Sequence, residues 1–358
     1  MTGRATLNDV AAAAGVSSAT VDRVLNSRLP VKEATALRVI EAAERLGHHG
    51  ARLMRERLRE HTELRSLGFC LQKRHAAFYR AFADDLNAAV AAPGQPRAVS
   101  VIEYIDALEP GEIARRILAV GREVDALALV AIEHPHVTEA VRTLHAEGRP
   151  CWTLLSDLSV PERAGYVGVD GRKSGRTAAW TISRLARAPG PVAVFVGSYR
   201  YLGQEACEMS FRAYLREHAP QFRVLDTLVN LEDDQMAYEA TLDLLRREPG
   251  LVGLYAAGGG VAGMIRALRE EASLRPPGAT APRPHIVTVC NELTPEHRAG
   301  LVDGLVDLVL GTPTPRIART VVAAMHAAID RRGTPAAANH PLAVQMSLPA
   351  DLYVAENL

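Results

Sequence analysis

The sequence predicts two folds in one chain: a short all-α N-terminal domain, then a long α/β domain of two lobes. Three observations carry this. The first sixty residues form three short helical patterns separated by turn signals. From about Leu64, apolar strand candidates alternate with amphipathic helical stretches, the pattern of parallel sheets covered by helices. Roughly ten strands in ~290 residues exceed one small sheet and suit two lobes. The expected division is a helical domain at 1–49, a linker at 50–63 and the α/β domain at 64–358. Within the last, lobe 1 is expected at about 64–165 and 305–332, and lobe 2 at about 166–295 and 335–358.

Composition bounds the function. The 358 residues carry 41 Lys+Arg and 41 Asp+Glu, with 48% hydrophobic residues, which excludes global disorder. No apolar run is long enough to span a membrane, and the N-terminus has no secretory pattern. Cys70, Cys151, Cys207 and Cys290 are too scattered for a zinc cluster or disulfide framework, so reduced thiols in a cytoplasmic protein are expected. Neutrality argues against a nucleic-acid partner only for the chain as a whole. The first sixty residues hold ten Lys+Arg against seven Asp+Glu, leaving 31 against 34 for the remainder.

In the N-terminal domain, Leu7, Val10, Ala11 and Ala14 fall at helical spacing, and Gly15 stops that helix. Ser17 caps a second helix with Val21, Val24 and Leu25 inward. A loop runs from Asn26 to Pro30. The third helix spans about Lys32 to Leu46, with Leu37, Ile40 and Ala43 inward and Gly47 as its stop. Two short helices around a glycine turn make a helix-turn-helix candidate, whose second helix enters the major groove. Ser18, Ala19, Asp22 and Arg23 point away from the apolar stripe. Ser17, Thr20 and the helix N-terminus suit phosphate, and Arg23 suits bidentate contact with guanine. The plainer alternative is a three-helix bundle with solvated polar residues.

The string Ala5-Thr6-Leu7-Asn8-Asp9-Val10-Ala11, with Ala14-Gly15-Val16-Ser17-Ser18-Ala19-Thr20-Val21-Asp22-Arg23-Val24-Leu25-Asn26, resembles the lactose-repressor/galactose-repressor (LacI/GalR) family of bacterial transcription regulators. Val31, Thr35, Val39, Ala42-Ala43 and Leu46-Gly47 extend the match. The resemblance implies base reading by Ser18, Ala19 and Arg23, and backbone contacts from Thr6, Ser17, Thr20 and Asn26. Asp22 stands where many members have serine; structural pairing is expected of it rather than cytosine reading. Lys32 replaces the usual serine cap. The family's hinge helix places a leucine in the minor groove. Here Gly50-Ala51 replaces the usual Pro-Asn entry, and simple register puts Arg57 at the wedge, leaving Leu53, Met54 or Leu58 as candidates. A basic linker contacting only phosphates is the alternative.

Strand candidates in the long domain are Ser66–Leu71, Val99–Tyr104, Ala126–Ile132, Cys151–Leu155, Val192–Val196, Arg223–Val229, Leu251–Ala256, His285–Cys290 and Leu305–Leu310. Leu154-Leu155-Ser156-Asp157, Tyr166-Val167-Gly168-Val169-Asp170 with Gly175-Arg176, and Asn291-Glu292-Leu293-Thr294 resemble the family's regulatory domain. That domain is periplasmic-binding-protein-like, which implies two lobes crossed by three strands around a small, sugar-like effector. Asp157, Asn291 and Glu292 lie beyond strand ends, where open α/β sheets bind ligands. Phe78, Tyr79 or Tyr199 could stack on a ring, whereas Asp170 is expected to be structural. Three departures remove polar effector contacts. Cys207 and Ser210 replace the family's arginine and glycine before Phe211, Ala256-Ala257-Gly258 stands where an asparagine is common, and Gly311 stands in place of a glutamine. An effector less densely hydroxylated than a common hexose, or none, is the corresponding expectation.

Gly258-Gly259-Gly260-Val261-Ala262-Gly263 satisfies the dinucleotide pattern, but the acidic partner about 20 residues on is missing. A glycine-rich cleft loop is the better reading. Glu133-His134-Pro135-His136 suits a solvated loop better than a metal site. No catalytic motif is present, and no cofactor or metal is expected. The leading expectation is a DNA-binding regulator, acting as a homodimer or higher oligomer on a near-palindromic operator. A solute-binding receptor without operator specificity, or a nucleotide-dependent enzyme, are the alternatives.

Overall fold

A computed structural model describes residues 5–26, 31–54, 64–106, 109–273, 285–331 and 344–358. The chain divides into two compact units, residues 1–65 with 90–99, and residues 66–89 with 100–358.

The N-terminal helices are α1 (Leu7–Ala14), α2 (Ser18–Asn26) and α3 (Glu33–Arg45). Thr6 and Asp9 form a reciprocal capping box that satisfies the first free amides of α1. Gly15, at φ 66°, ends the helix in the left-handed conformation that only glycine adopts without strain. The side-chain oxygen of Ser17 accepts from the Thr20 amide at 3.2 Å, opening α2. Lys32 makes no side-chain cap to α3. Val10, Val21, Val39, Ile40 and Met54 are fully or almost fully buried in one core. Leu37, expected inward, is exposed. The buried stripe of α3 is Ala36, Val39, Ile40 and Ala43, and Leu37 sits one residue off that i, i+3, i+4, i+7 phase.

The long domain holds two sheets. The first contains β1 (Arg65–Gln72), β2 (Ala98–Ile105), β3 (Ala126–Leu129), β4 (Cys151–Leu154), β5 (Gly165–Val169) and β12 (Val344–Leu348), in the order β12-β5-β4-β3-β1-β2. The second contains β6 (Pro191–Val196), β7 (Arg223–Val224), β8 (Leu228–Val229), β9 (Gly253–Ala256), β10 (Val287–Asn291), β11 (Leu308–Gly311) and β13 (Asp351–Tyr353). Its order is β13-β11-β10-β9-β6-β7, with β8 also paired to β6. Antiparallel pairing is confined to β11–β13 among the described pairs. Fully buried runs such as Ala126–Leu129 and Gly253–Ala256 are what a sheet covered on both faces requires.

Helices between strands provide the parallel crossovers: α4 (Ala77–Ala91), α5 (Pro110–Glu123), α6 (Pro135–Ala146), α7 (Gly171–Leu185), α8 (Leu202–His218), α9 (Asp234–Arg247), α10 (Val261–Ser273), α11 (Pro295–Val302) and α12 (Thr314–Asp330). Gly175 permits close approach of α7 and α8: a Cβ there would lie 2.0 Å from the Cys207 carbonyl oxygen and 2.3 Å from Ser210 Oγ. Ser210 thus belongs to a helix contact.

The sheets correct the expected lobe division. β11 lies in the second sheet, although 305–332 was expected in lobe 1; α12 then packs on β3 and β5, and β12 joins the first sheet. The chain crosses between sheets at Asp170, at Thr312-Pro313 and at Pro349-Ala350. The expected strand 223–229 divides into β7 and β8: both ends pair with β6, and the ladder breaks after the Leu225 amide, which still donates to the Val192 carbonyl. β5, β12 and β13 had no place among the strand candidates.

Candidate functional site

Two surfaces concentrate chemistry, one in each unit. On α2, Val21 and Val24 are buried, and this turns Ser18, Ala19 and Arg23 outward, all exposed. Ser17 and Thr20 are held by their mutual hydroxyl contact at 3.0 Å, and Thr6 by its contact with Asp9. Asp22 accepts from the Asn26 side-chain amide at 2.6 Å. That contact turns the carboxylate toward its own helix and engages Asn26 as well. Leu53 is exposed, whereas Met54 is fully buried in the helical core and presents no side chain for groove insertion. Leu58 and Arg57 lie outside the described residues.

The second surface is the cleft where the parallel strands of both sheets end. Cross-lobe bonds line it. Lys73, following β1, pairs with Glu232 at 3.1 Å and donates to the Glu232 carbonyl oxygen at 3.3 Å. The Tyr201 hydroxyl donates to Gln72 at 2.5 Å, the Gly203 amide donates to Ser156 Oγ at 3.2 Å, and the Glu133 amide donates to the Arg200 carbonyl at 2.7 Å. Gln204 accepts from the Gly197 amide and donates to Glu232, both at 2.7 Å. Lys73, Leu155, Glu232 and Glu292 have φ of 45°, 62°, 56° and 65°. Such left-handed non-glycine residues are costly and gather at binding sites.

Asn291 and Glu292, at the end of β10, line this cleft, as does Tyr79. The Asn291 side chain accepts from Tyr255 and donates to the Ala257 carbonyl, both at 3.1 Å. Burial, reinforced by Glu232 and opposed by Lys73, pushes the Glu292 carboxyl up to about 8. Burial likewise drives the Tyr79 hydroxyl well above its ordinary value. Phe78 lines a neighbouring cavity of about 350 Å³, shared with Tyr79, Asn291 and Glu292.

Two expected effector residues are elsewhere. Asp157 is clamped by Arg163 at 2.7 and 2.8 Å and accepts from the Thr153 hydroxyl and Leu158 amide, which is a structural assignment. Tyr199 is exposed and lines neither cavity. Asp170 caps α7 through the Arg172 and Lys173 amides. Lys73, Tyr201, Gln204 and Glu232 were not among the residues expected from sequence, because each follows a strand end or starts a helix without a distinctive motif.

The departures have local causes. At Gly258 a Cβ would lie 2.7 Å from both Gln204 Oε1 and the Gly197 amide. The Gln204 amide therefore stands where a longer side chain at 258 would reach. Gly311 faces the Tyr353 ring, 2.5 Å from a notional Cβ. Cys207 is buried and lies 3.8 Å from the Asn291 amide nitrogen. The glycine run 258–260 lines the larger cavity, as expected of a cleft loop. His134 caps α6, Glu133 accepts from Ser159, and no metal-ligating group of three occurs among the described residues. No helix among them is long and apolar enough to cross a membrane.

Residues 67–334 match the model of the periplasmic binding protein domain, and residues 6–50 match that of the bacterial regulatory proteins, lacI family. Among solved structures, the chain is similar to GanP, a glucose-galactose binding protein from Geobacillus stearothermophilus. Identity is 15%, covering 83% of this chain and 99% of that one, with a TM-score of 0.69. An ABC transporter solute-binding protein from Agrobacterium vitis, bound with α-D-tagatopyranose, is 17% identical over 82% of this chain and 95% of that one (TM-score 0.68). A solute-binding protein from Burkholderia graminis in complex with D-arabinose is 18% identical over 82% and 96% (TM-score 0.68). No curated protein matches the chain.

Proposed function

The chain belongs to the periplasmic binding protein domain family, in the architecture of the LacI/GalR regulators, and from that premise we propose an effector-responsive transcriptional regulator that reads a specific operator. One observation carries the DNA half of this reading. The start of α2 is exposed, with Ser18, Ala19 and Arg23 outward and the apolar residues Val21 and Val24 buried behind them. Arg23 provides the fork that matches guanine in the major groove. Ser17, Thr20, Thr6 and Asn26 are short polar groups suited to phosphate, which fixes register.

A single short helix with a small basic excess binds DNA weakly. We therefore assign the functional form as a dimer on a near-palindromic site, whose two half-sites match the two-fold axis of the protein. The action is repression, relieved or promoted by a small molecule held between the lobes by Tyr79, Asn291 and Glu292. The sugars held by similarly folded solute-binding proteins make a sugar or sugar-like metabolite the effector class. Leu53 and Leu58 are the candidates for minor-groove insertion at the hinge.

Fluorescence anisotropy with the chain's own upstream DNA and a scrambled duplex, each at two salt concentrations, tests this reading. Discrimination that persists as salt rises is expected. Equal affinity for both duplexes, with a steep salt dependence alone, would leave a solute receptor without operator specificity.

A further inference from the structure

The larger cavity has an uneven charge. Four carboxylates line it, from Glu232, Asp234, Glu292 and Glu296, against the cations Lys73 and Arg80. Neither cation bonds Glu292 directly. Lys73 pairs with Glu232, and Arg80 donates to the Arg74 and His75 carbonyl oxygens. The Glu292 carboxyl has no hydrogen bond or ion pair among the described residues.

A second group in the same cavity is also unanswered. His297 lines it and is almost completely buried, 4% exposed. Its Nδ1 is engaged by Thr294, 2.7 Å from the hydroxyl oxygen and 3.4 Å from the amide nitrogen. Burial holds the ring neutral by pushing its pKa down to about 4. Nε2 has no hydrogen-bond partner among the described residues. A buried polar atom left unpaired is costly, and a ligand hydroxyl would relieve that cost. The aromatic pair Phe78 and Tyr79, edge to face with ring centres 5.3 Å apart, supplies apolar and π surface to the same cavity.

We propose that the effector is a cation, an ammonium-bearing polyol such as an amino sugar, whose charged nitrogen pairs with the Glu292 carboxylate, displacing its proton, and whose hydroxyl pairs with His297 Nε2. A cavity of about 350 Å³ falls in the range of small-ligand sites. The aromatic wall favours an ammonium over a neutral group, since ring faces attract cations. The departures from the family pattern agree with this. By the resemblance, Cys207, Ala256-Ala257-Gly258 and Gly311 stand where polar effector contacts are expected, while the acidic excess remains. This assignment rests on the cleft being the effector site.

Calorimetry on the full chain would compare D-glucosamine with D-glucose and D-galactosamine with D-galactose, together with the N-acetylated amines. The expected result is binding of one amine about tenfold or more tighter than its parent sugar and its acetylated form. Glu292→Gln should reduce that preference to within about threefold, its fold checked by an unchanged melting transition at pH 5. The acetylated probes test the same point on the unaltered protein. Equal binding of amine and parent, or binding of neither, overturns the inference while leaving the regulator reading intact. Loss of operator discrimination in the DNA assay would remove that reading without touching the amine preference.

Discussion

Replacing Glu292 by glutamine should make the protein more stable in base and leave it nearly unchanged in acid. The carboxyl sits at a left-handed backbone position in the cleft, faced by Glu232 and Lys73. Its pKa is raised from an ordinary 4.5 to about 8. Between those values the folded protein keeps a proton that the unfolded chain releases, so stability falls as pH rises through the window. In a dry interior the full cost at pH 8 and above would be about 5 kcal/mol. The cleft admits solvent, which screens this to about 2 kcal/mol. Glutamine has the same shape and no charge to desolvate. For a domain of this size about 2 kcal/mol corresponds to about 4 °C in Tm. Thermal unfolding of both proteins from pH 5 to pH 9 is the assay. Coincident curves at pH 5 and a variant about 4 °C higher at pH 9 are expected. A difference that stays flat across the window would mean that Lys73 already holds Glu292 ionised, and the reasoning would fail.

Arg23→Ala should relax the base preference at one operator position by about 1–3 kcal/mol and leave the salt slope almost unchanged, measured by anisotropy across point-substituted duplexes. Uniform weakening on every sequence would make Arg23 a phosphate contact instead. Gly175→Ala should destabilise the long domain by about 2 kcal/mol or more, read in urea unfolding, because its Cβ meets the Cys207 backbone. Asp157→Ala should cost about 2–3 kcal/mol by stranding the largely buried Arg163. It should leave calorimetric ligand affinity unaltered; a change there would return Asp157 to the binding site.

The N-terminal helices were legible because each carries its own punctuation. Thr6-x-x-Asp9, Gly15 and Ser17 are local signals whose geometry needs no distant partner. Leu37 failed because neighbouring phases of a short helix differ by only one residue, and tertiary packing selects among them. Asn291, Glu292 and Tyr79 were legible in the cleft because they follow or adjoin clear strands or a quoted motif. Asp157 was equally well placed along the chain but was claimed by Arg163, six residues away. No periodicity announces such a choice of partner. Glu232 was invisible for the opposite reason. It lies after the two-residue strand β8, and its partner Lys73 is 159 residues distant in sequence. Strands as short as β7, β8 and β13 owe their extended form to the neighbour they pair with, so their residues carry little pattern of their own.

The same cleft residues also bear on how a ligand is coupled to the fold. Lys73 and Glu232 are both left-handed, and each is held by the other across the lobes. Left-handed non-glycine residues cost about 1–3 kcal/mol apiece. A partly exposed ion pair with one charge-assisted hydrogen bond returns an amount of similar size. Opening the cleft would break Lys73–Glu232 and Tyr201–Gln72 together, but it would also free the two backbones to relax. The open and closed forms therefore differ by a small remainder of opposing terms. A remainder of that kind lies within reach of the differential affinity by which effectors act, about 1–3 kcal/mol. A ligand that pairs Glu292 in the closed form alone supplies such a difference. A rigidly packed interface between the lobes would leave it no equilibrium to shift.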